Sequence, residues 1–143
     1  PDAKARFHVP VYQPPVDATT PAFPLTLTTG RVRDQWHTLT RTGKVAKLNK
    51  SEPEPFLEIH EQDARTRGIR DGRMVRIRSA RGSAEMTARV TRNIRPGVVF
   101  APFHWGPLWR PQATINVTTT DVFDRRSKEP EIKAAAVEVE AIR

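Results

Sequence analysis

The chain of 143 residues is 37% hydrophobic and 28% charged, with 24 Lys and Arg against 16 Asp and Glu for a net charge of +8. That size suits one domain with a single core, and no apolar run nears the ~20 residues of a membrane-spanning helix, so no membrane partner is expected. Cysteine is absent, which removes disulfides, thiol nucleophiles and sulfur-held zinc or iron–sulfur sites and fits a reducing, cytoplasmic location.

The basic residues run from Lys4 to Arg143 without a block of like charges, so an anionic partner is plausible but a basic tail of the nucleic-acid type is absent. The sequence opens at Pro1 and PDAKARFHVP has neither the apolar core nor the cleavage site of a signal peptide. It therefore reads as a piece of a longer polypeptide. Residues 1–24 carry Pro1, Pro10, Pro14, Pro15, Pro21 and Pro24, and such spacing favours an extended interdomain linker. The folded domain is expected over 25–143.

Phe23–Thr29 alternates Leu25 and Leu27 with Thr26 and Thr28, the pattern of a half-buried strand that stops at Gly30. From Gly30 to Pro55 the pattern dissolves into a long polar loop. Phe56, Leu57 and Ile59 form a short apolar run, and Glu61–Arg67, acidic first and basic last, predicts a short helix capped by Gly68. Arg73–Ser79 and Ser83–Thr91 alternate strictly and predict a hairpin. Pro96-Gly97 marks a turn before Val98, Val99 and Phe100, and Ala136–Ile142 closes the chain as a strand. Five or six short strands with little helix predict a mainly β domain, closed as a barrel.

Catalytic constellations are scarce. His8, His37, His60 and His104 lack the close spacing of zinc ligands, so no metal site is expected. Neither G-x-G-x-x-G nor a P-loop occurs. Two stretches are unusual. Residues 28–43, TTGRVRDQWHTLTRTG, gather hydroxyls, guanidinium groups, an indole and an imidazole after a strand, a set able to hold phosphate oxygens and a flat heterocycle. The same loop could instead be a polar crossover with Trp36 plugging the barrel. Residues 100–111, FAPFHWGPLWRP, crowd aromatic rings around prolines, as in a rigid binding loop or interface or a plug over one barrel end.

Around these stretches the chain resembles the C-terminal domain of the dimethyl sulfoxide reductase family of molybdenum enzymes, and within it the assimilatory nitrate reductases. Six segments carry the resemblance, in family order: PLTLTTGRVRDQWHTLTRTG, PEPFLEIHEQDA, GIRDGRMVRIRSARG, NIRPGVVFAPFHWG, INVTTTD and SKEPEIKAAAVEVE. It implies a six-stranded double-psi β-barrel with short helices and a long loop. It also implies binding of molybdopterin guanine dinucleotide, two of which carry molybdenum in the full enzyme, with any iron–sulfur cluster and the molybdenum ligand in upstream domains of the same polypeptide.

By the same resemblance Thr29, Gly30, Arg31, Trp36, His37, Thr38, Asn116 and Lys133 are cofactor contacts, Phe103 and His104 border a substrate funnel, and no residue here is catalytic or a metal ligand. The parent reaction would be reduction of nitrate, a small anion, to nitrite, with formate dehydrogenase as the alternative. Where relatives commonly carry D-P before S-K-Q-P, this chain has Asp124-Arg125 before SKEP, which changes the local turn. A reading from another class is a basic barrel that binds single-stranded nucleic acid by stacking bases on Trp36, Trp105 and Trp109; a third is a double-psi interaction module. The first reading expects no nucleic-acid partner.

Overall fold

The computed structural model describes residues 3–142. Six strands close into one barrel in the order β1-β5-β2-β4-β3-β6. They are β1 (Leu25–Gly30), β2 (Phe56–His60), β3 (Met74–Arg78), β4 (Ser83–Thr91), β5 (Val98–Pro102) and β6 (Ala135–Ala141), with short helices α1 (Ala46–Asn49) and α2 (Glu61–Thr66). β1 runs parallel to β5 and β2 parallel to β4, while the remaining neighbours are antiparallel. This is the double-psi barrel expected from the resemblance.

The alternation in each strand puts its apolar residues inside, because successive side chains of a strand face opposite ways. Leu27, Leu57, Ile59, Val75, Ile77, Val99 and Val137 are all fully buried, and each contributes ~1.5–3 kcal/mol of transfer free energy. Register locks these positions together: Leu27 lies opposite Val99 and Ala135, and Ile77 opposite Val139. Outside the barrel, Arg76 pairs with Glu85 across β3 and β4, and Arg67, after α2, pairs with Glu138 of β6 at 2.8 Å. α2 ends as expected at Gly68, whose φ of +64° suits glycine. Its start is capped by His60, whose Nδ1 accepts the Gln62 N–H at 3.1 Å.

Three expectations shift. The first strand begins at Leu25, since Phe23 instead exchanges backbone bonds with Thr20. The 31–55 loop contains a 3-10 turn at Thr42–Lys44 and the helix α1, which are too short for periodicity to announce. Ala101 and Pro102, read as part of an irregular aromatic loop, carry the Val98–Phe100 run on to the end of β5, where proline is tolerated because the strand terminates there. Residues before Thr20 have no regular structure among those described, yet Asp17 ties them down. Its carboxylate accepts the Ala136 N–H at 2.8 Å and pairs with Arg81.

Strand directions sort the connections. The ends of β1, β3 and β5 and the starts of β2, β4 and β6 share one barrel end. That end therefore carries the 31–55 loop, the 79–82 turn and the 103–134 connection, whereas α2 and the 92–97 turn lie at the other.

Candidate functional site

All ten residues singled out by sequence lie at that one end: Thr29 and Gly30 finish β1, Arg31, Trp36, His37 and Thr38 follow in the 31–55 loop, and Phe103, His104, Asn116 and Lys133 belong to the 103–134 connection. Sequence distances of about a hundred residues collapse here. Lys133 Nζ donates to the Thr29 carbonyl, the Thr29 hydroxyl donates to the Ile132 carbonyl at 2.6 Å, and Phe103 N–H donates to the Gly30 carbonyl at 3.1 Å. The Lys133 ammonium also lies 5.8 Å from the Phe103 ring centre. Because Thr29 is buried with its hydroxyl engaged, it is placed to shape the site from inside the barrel. Asn116 is exposed on the 3-10 turn Ile115–Thr118, and among the described residues no hydrogen bond, ion pair or ring contact joins it to the Arg31 cluster.

The outward groups are Arg31, Trp36, His37 and Thr38, all exposed. The Arg31 guanidinium lies 4.7 Å over the Trp36 ring, and Trp36 meets His37 edge-on at 4.6 Å. Trp36 is 49% exposed, so it does not plug the barrel. Arg33 is engaged by Asp34 through two bonds of 3.1 Å, which hold that carboxyl below the usual carboxylate range. Arg31 has no carboxylate partner among the described residues. An unneutralised guanidinium beside an indole face offers forked donors to an anion and a stacking surface to a heterocycle.

The loop backbone is unusual. His37 and Leu39 have φ of +43° and +65°, conformations that cost non-glycine residues ~1–2 kcal/mol each. Inside the loop, Gln35 is buried and its Nε2 donates to Asn49 Oδ1 at 3.0 Å, while Asn49 Nδ2 donates to the Gly43 carbonyl at 2.8 Å. From the neighbouring connection, His104 is fully buried. Its Nε2 accepts the Val32 N–H at 3.0 Å and its Nδ1 meets the His37 carbonyl at 2.6 Å. A carbonyl only accepts, so Nδ1 carries the proton and the ring is neutral. Burial, more than the nearby Arg31, pushes its pKa below the ordinary value. Trp109 Nε1–H donates to the Thr38 carbonyl at 3.1 Å.

Sequence reasoning missed Gln35, Asn49 and Trp109 as loop supports, because single side-chain bonds across 6, 14 and 71 residues leave no periodic signal. A cleft of about 640 Å³ opens beside the loop, lined by Thr38, Thr40, Lys44, Gly106, Leu108 and Trp109, large enough for part of a cofactor-sized ligand. Asp124 accounts for the departure at 124–125: its carboxylate accepts the Arg126 and Ser127 N–H groups at 3.0 and 2.6 Å and closes that turn without a proline. The stacking-platform reading loses a platform, since Trp105 is only 4% exposed.

Fold and site together define a closed double-psi barrel with a polar and aromatic loop at one end. Residues 25–136 match the family model described as "Molydopterin dinucleotide binding domain", and the chain belongs to that family. Among similar proteins, it is 40% identical over 139 residues to a nitrate reductase of Klebsiella oxytoca, covering 96% of this chain and 16% of that protein. It is 46% identical over 125 residues to a nitrate reductase of Synechocystis, covering 87% and 17%. It is 40% identical over 120 residues to the F420-dependent formate dehydrogenase subunit alpha of Methanocaldococcus jannaschii, covering 84% and 17%. The chain thus spans only about a sixth of the length of the relatives it matches. Acetylene hydratase from Pelobacter acetylenicus shares the fold, with a TM-score of 0.76 at 15% identity, covering 94% of this chain and 21% of that one.

Proposed function

We propose that this barrel closes over molybdopterin guanine dinucleotide in a larger cytoplasmic nitrate reductase, with residues 1–24 as the connector to upstream domains of the same polypeptide. The observation that carries the reading is Arg31, exposed, without a carboxylate partner among the described residues, and stacked on Trp36 in a loop held at both ends. Pyrophosphate and pterin need oriented donors and a flat partner, and this loop has both.

In this reading Arg31 takes the pyrophosphate by charge-assisted hydrogen bonds, while His37 and Thr38 offer polar contacts to the pterin and Trp36 a stacking face. Gly30 allows close approach, Thr29 contributes through its backbone, Lys133 has two further ammonium protons beyond its bond to Thr29, and Asn116 offers donor and acceptor to a pterin edge. Phe103 borders the substrate funnel, and His104 acts there from behind, through the loop it holds. Two dinucleotides, with molybdenum, supply oxygen-atom transfer and the two-electron step of nitrate reduction when bound, and any iron–sulfur cluster sits in the upstream domains. The net charge of +8 steers the small anionic substrate inward. A formate dehydrogenase is the second reading, favoured by the 40% identity to a formate dehydrogenase subunit.

The test is Arg31→Ala in the full-length protein. Pterin content, measured by fluorescence after oxidative release, is expected to fall while the circular dichroism spectrum is kept. Unchanged content sinks the reading, and turnover of nitrate against formate in the parent protein separates the two substrates.

A further inference from the structure

Two ring N–H groups from one stretch of chain take two consecutive carbonyls of the ligand loop. His104 Nδ1–H meets the His37 carbonyl at 2.6 Å and Trp109 Nε1–H meets the Thr38 carbonyl at 3.1 Å. The second nitrogen of His104 accepts the Val32 N–H at 3.0 Å, so one buried ring spans both arms of the loop. The two left-handed residues, His37 and Leu39, flank Thr38 at these anchors. Non-glycine residues keep that conformation only where surrounding structure over-determines it.

The spacing of the two rings is itself fixed. Trp109 and Arg110 both donate backbone N–H to the Gly106 carbonyl at 3.0 Å. The Trp109 ring lies against Gly43, where an added Cβ would come within 2.7 Å of Cη2. We infer that His104 and Trp109 are positioning residues, a two-ring clasp that holds segment 31–38 in the shape that presents Arg31, Trp36, His37 and Thr38 to a dinucleotide ligand. The inference rests on the binding reading above, and gives the aromatic stretch 103–110 its role.

The clasp is open to protons at one point. Protonated His104 carries hydrogen on both nitrogens and leaves the Val32 N–H facing another donor. The charged and titratable groups beside it, Arg31 and His37, both oppose that proton, as does burial, while the flanking Phe103 and Trp105 rings add no charge. The clasp therefore stays closed at neutral pH and loosens on acidification.

The test uses the full-length protein and reads pterin retained after gel filtration at pH 7.5 and 5.5, with melting temperature alongside. His104→Asn keeps a donor toward the His37 carbonyl but cannot titrate; Trp109→Phe keeps an aromatic ring while removing the N–H and the indole edge that meets Gly43. Each is expected to lower retention about tenfold at pH 7.5, the factor matching ~1.4 kcal/mol for one buried hydrogen bond. Wild type and Trp109→Phe lose further pterin at pH 5.5, whereas His104→Asn holds the same low level at both. Wild-type retention in both variants, with Arg31→Ala depleted, overturns the clasp and leaves the binding reading standing. Retention in Arg31→Ala as well overturns both. A pH dependence undiminished in His104→Asn removes His104 as the titrating group and overturns the acid opening of the clasp.

Discussion

Gly30→Ala separates steric demand from backbone demand at the edge of the site. Gly30 is not among the positive-φ glycines, so alanine is conformationally acceptable, and with free space the change would stabilise a strand by ~0.5–1 kcal/mol. Space is what is missing. The new Cβ would stand 2.8 Å from Phe100 Cε2 and 3.4 Å from Cζ, so the ring must retreat by about 0.7 Å to reach normal carbon contact. Phe100 packs on Phe56 at 6.3 Å between ring centres, and Phe56 in turn carries the Arg89 guanidinium at 3.5 Å, which is held by Glu52. Overpacking against such a backed ring costs ~1–3 kcal/mol, which outweighs the backbone gain and lowers the melting temperature by ~3–8 °C for a chain of this size. Circular dichroism melts of the 143-residue chain measure it. Phe100→Leu should recover part of the loss in a double-mutant cycle. A melting temperature equal to or above wild type for Gly30→Ala would refute the steric account.

Ile59→Ala, at a fully buried position between β4 and β5, should cost ~2–5 kcal/mol, read as a lower urea midpoint; a change below 1 kcal/mol would mean the barrel interior is not packed as described. His104 sets an acid limit. Its folded pKa lies below the ordinary 6.5, so the unfolded chain binds more protons in the window between the two values. Its contribution is present above pH 6.5 and is lost as pH falls from there toward the folded pKa. Urea midpoints of wild type and His104→Asn should differ more at pH 7.5 than at pH 5.5, and the reverse trend would contradict the neutral ring. Asp17→Ala removes the acceptor of the Ala136 N–H and the partner of Arg81. It should expose residues 3–16 to limited proteolysis at least severalfold faster, with an unchanged rate meaning that Asp17 is not their anchor.

The barrel was legible because its strands alternate. Leu25 and Leu27, Val75 and Ile77, and Val137 and Val139 each declare one buried face at period two, and Gly68 and Pro96-Gly97 mark turns by local chemistry. What local patterning did not reveal was long-range. Nothing near Phe100 tells that VVFAP is a parallel neighbour of β1, so its last residues read as loop. The short α1 fell inside a stretch whose order comes from Gln35 and Asn49 bonding each other, a tertiary effect that overrides weak propensity. For the site, composition pointed to the 28–43 and 100–111 stretches, and the resemblance supplied the individual residues. That one stretch holds the other, through the rings of His104 and Trp109, became visible only in three dimensions.

Arg31 and its loop are proposed to meet the dinucleotide. A crystal or cryo-electron microscopy structure of the full-length protein carrying its cofactor measures this directly. The Arg31 guanidinium is expected within ~3.2 Å of a pyrophosphate oxygen, with His37 and Leu39 still left-handed. A cofactor seated with Arg31 turned away, beyond hydrogen-bond reach, would contradict it.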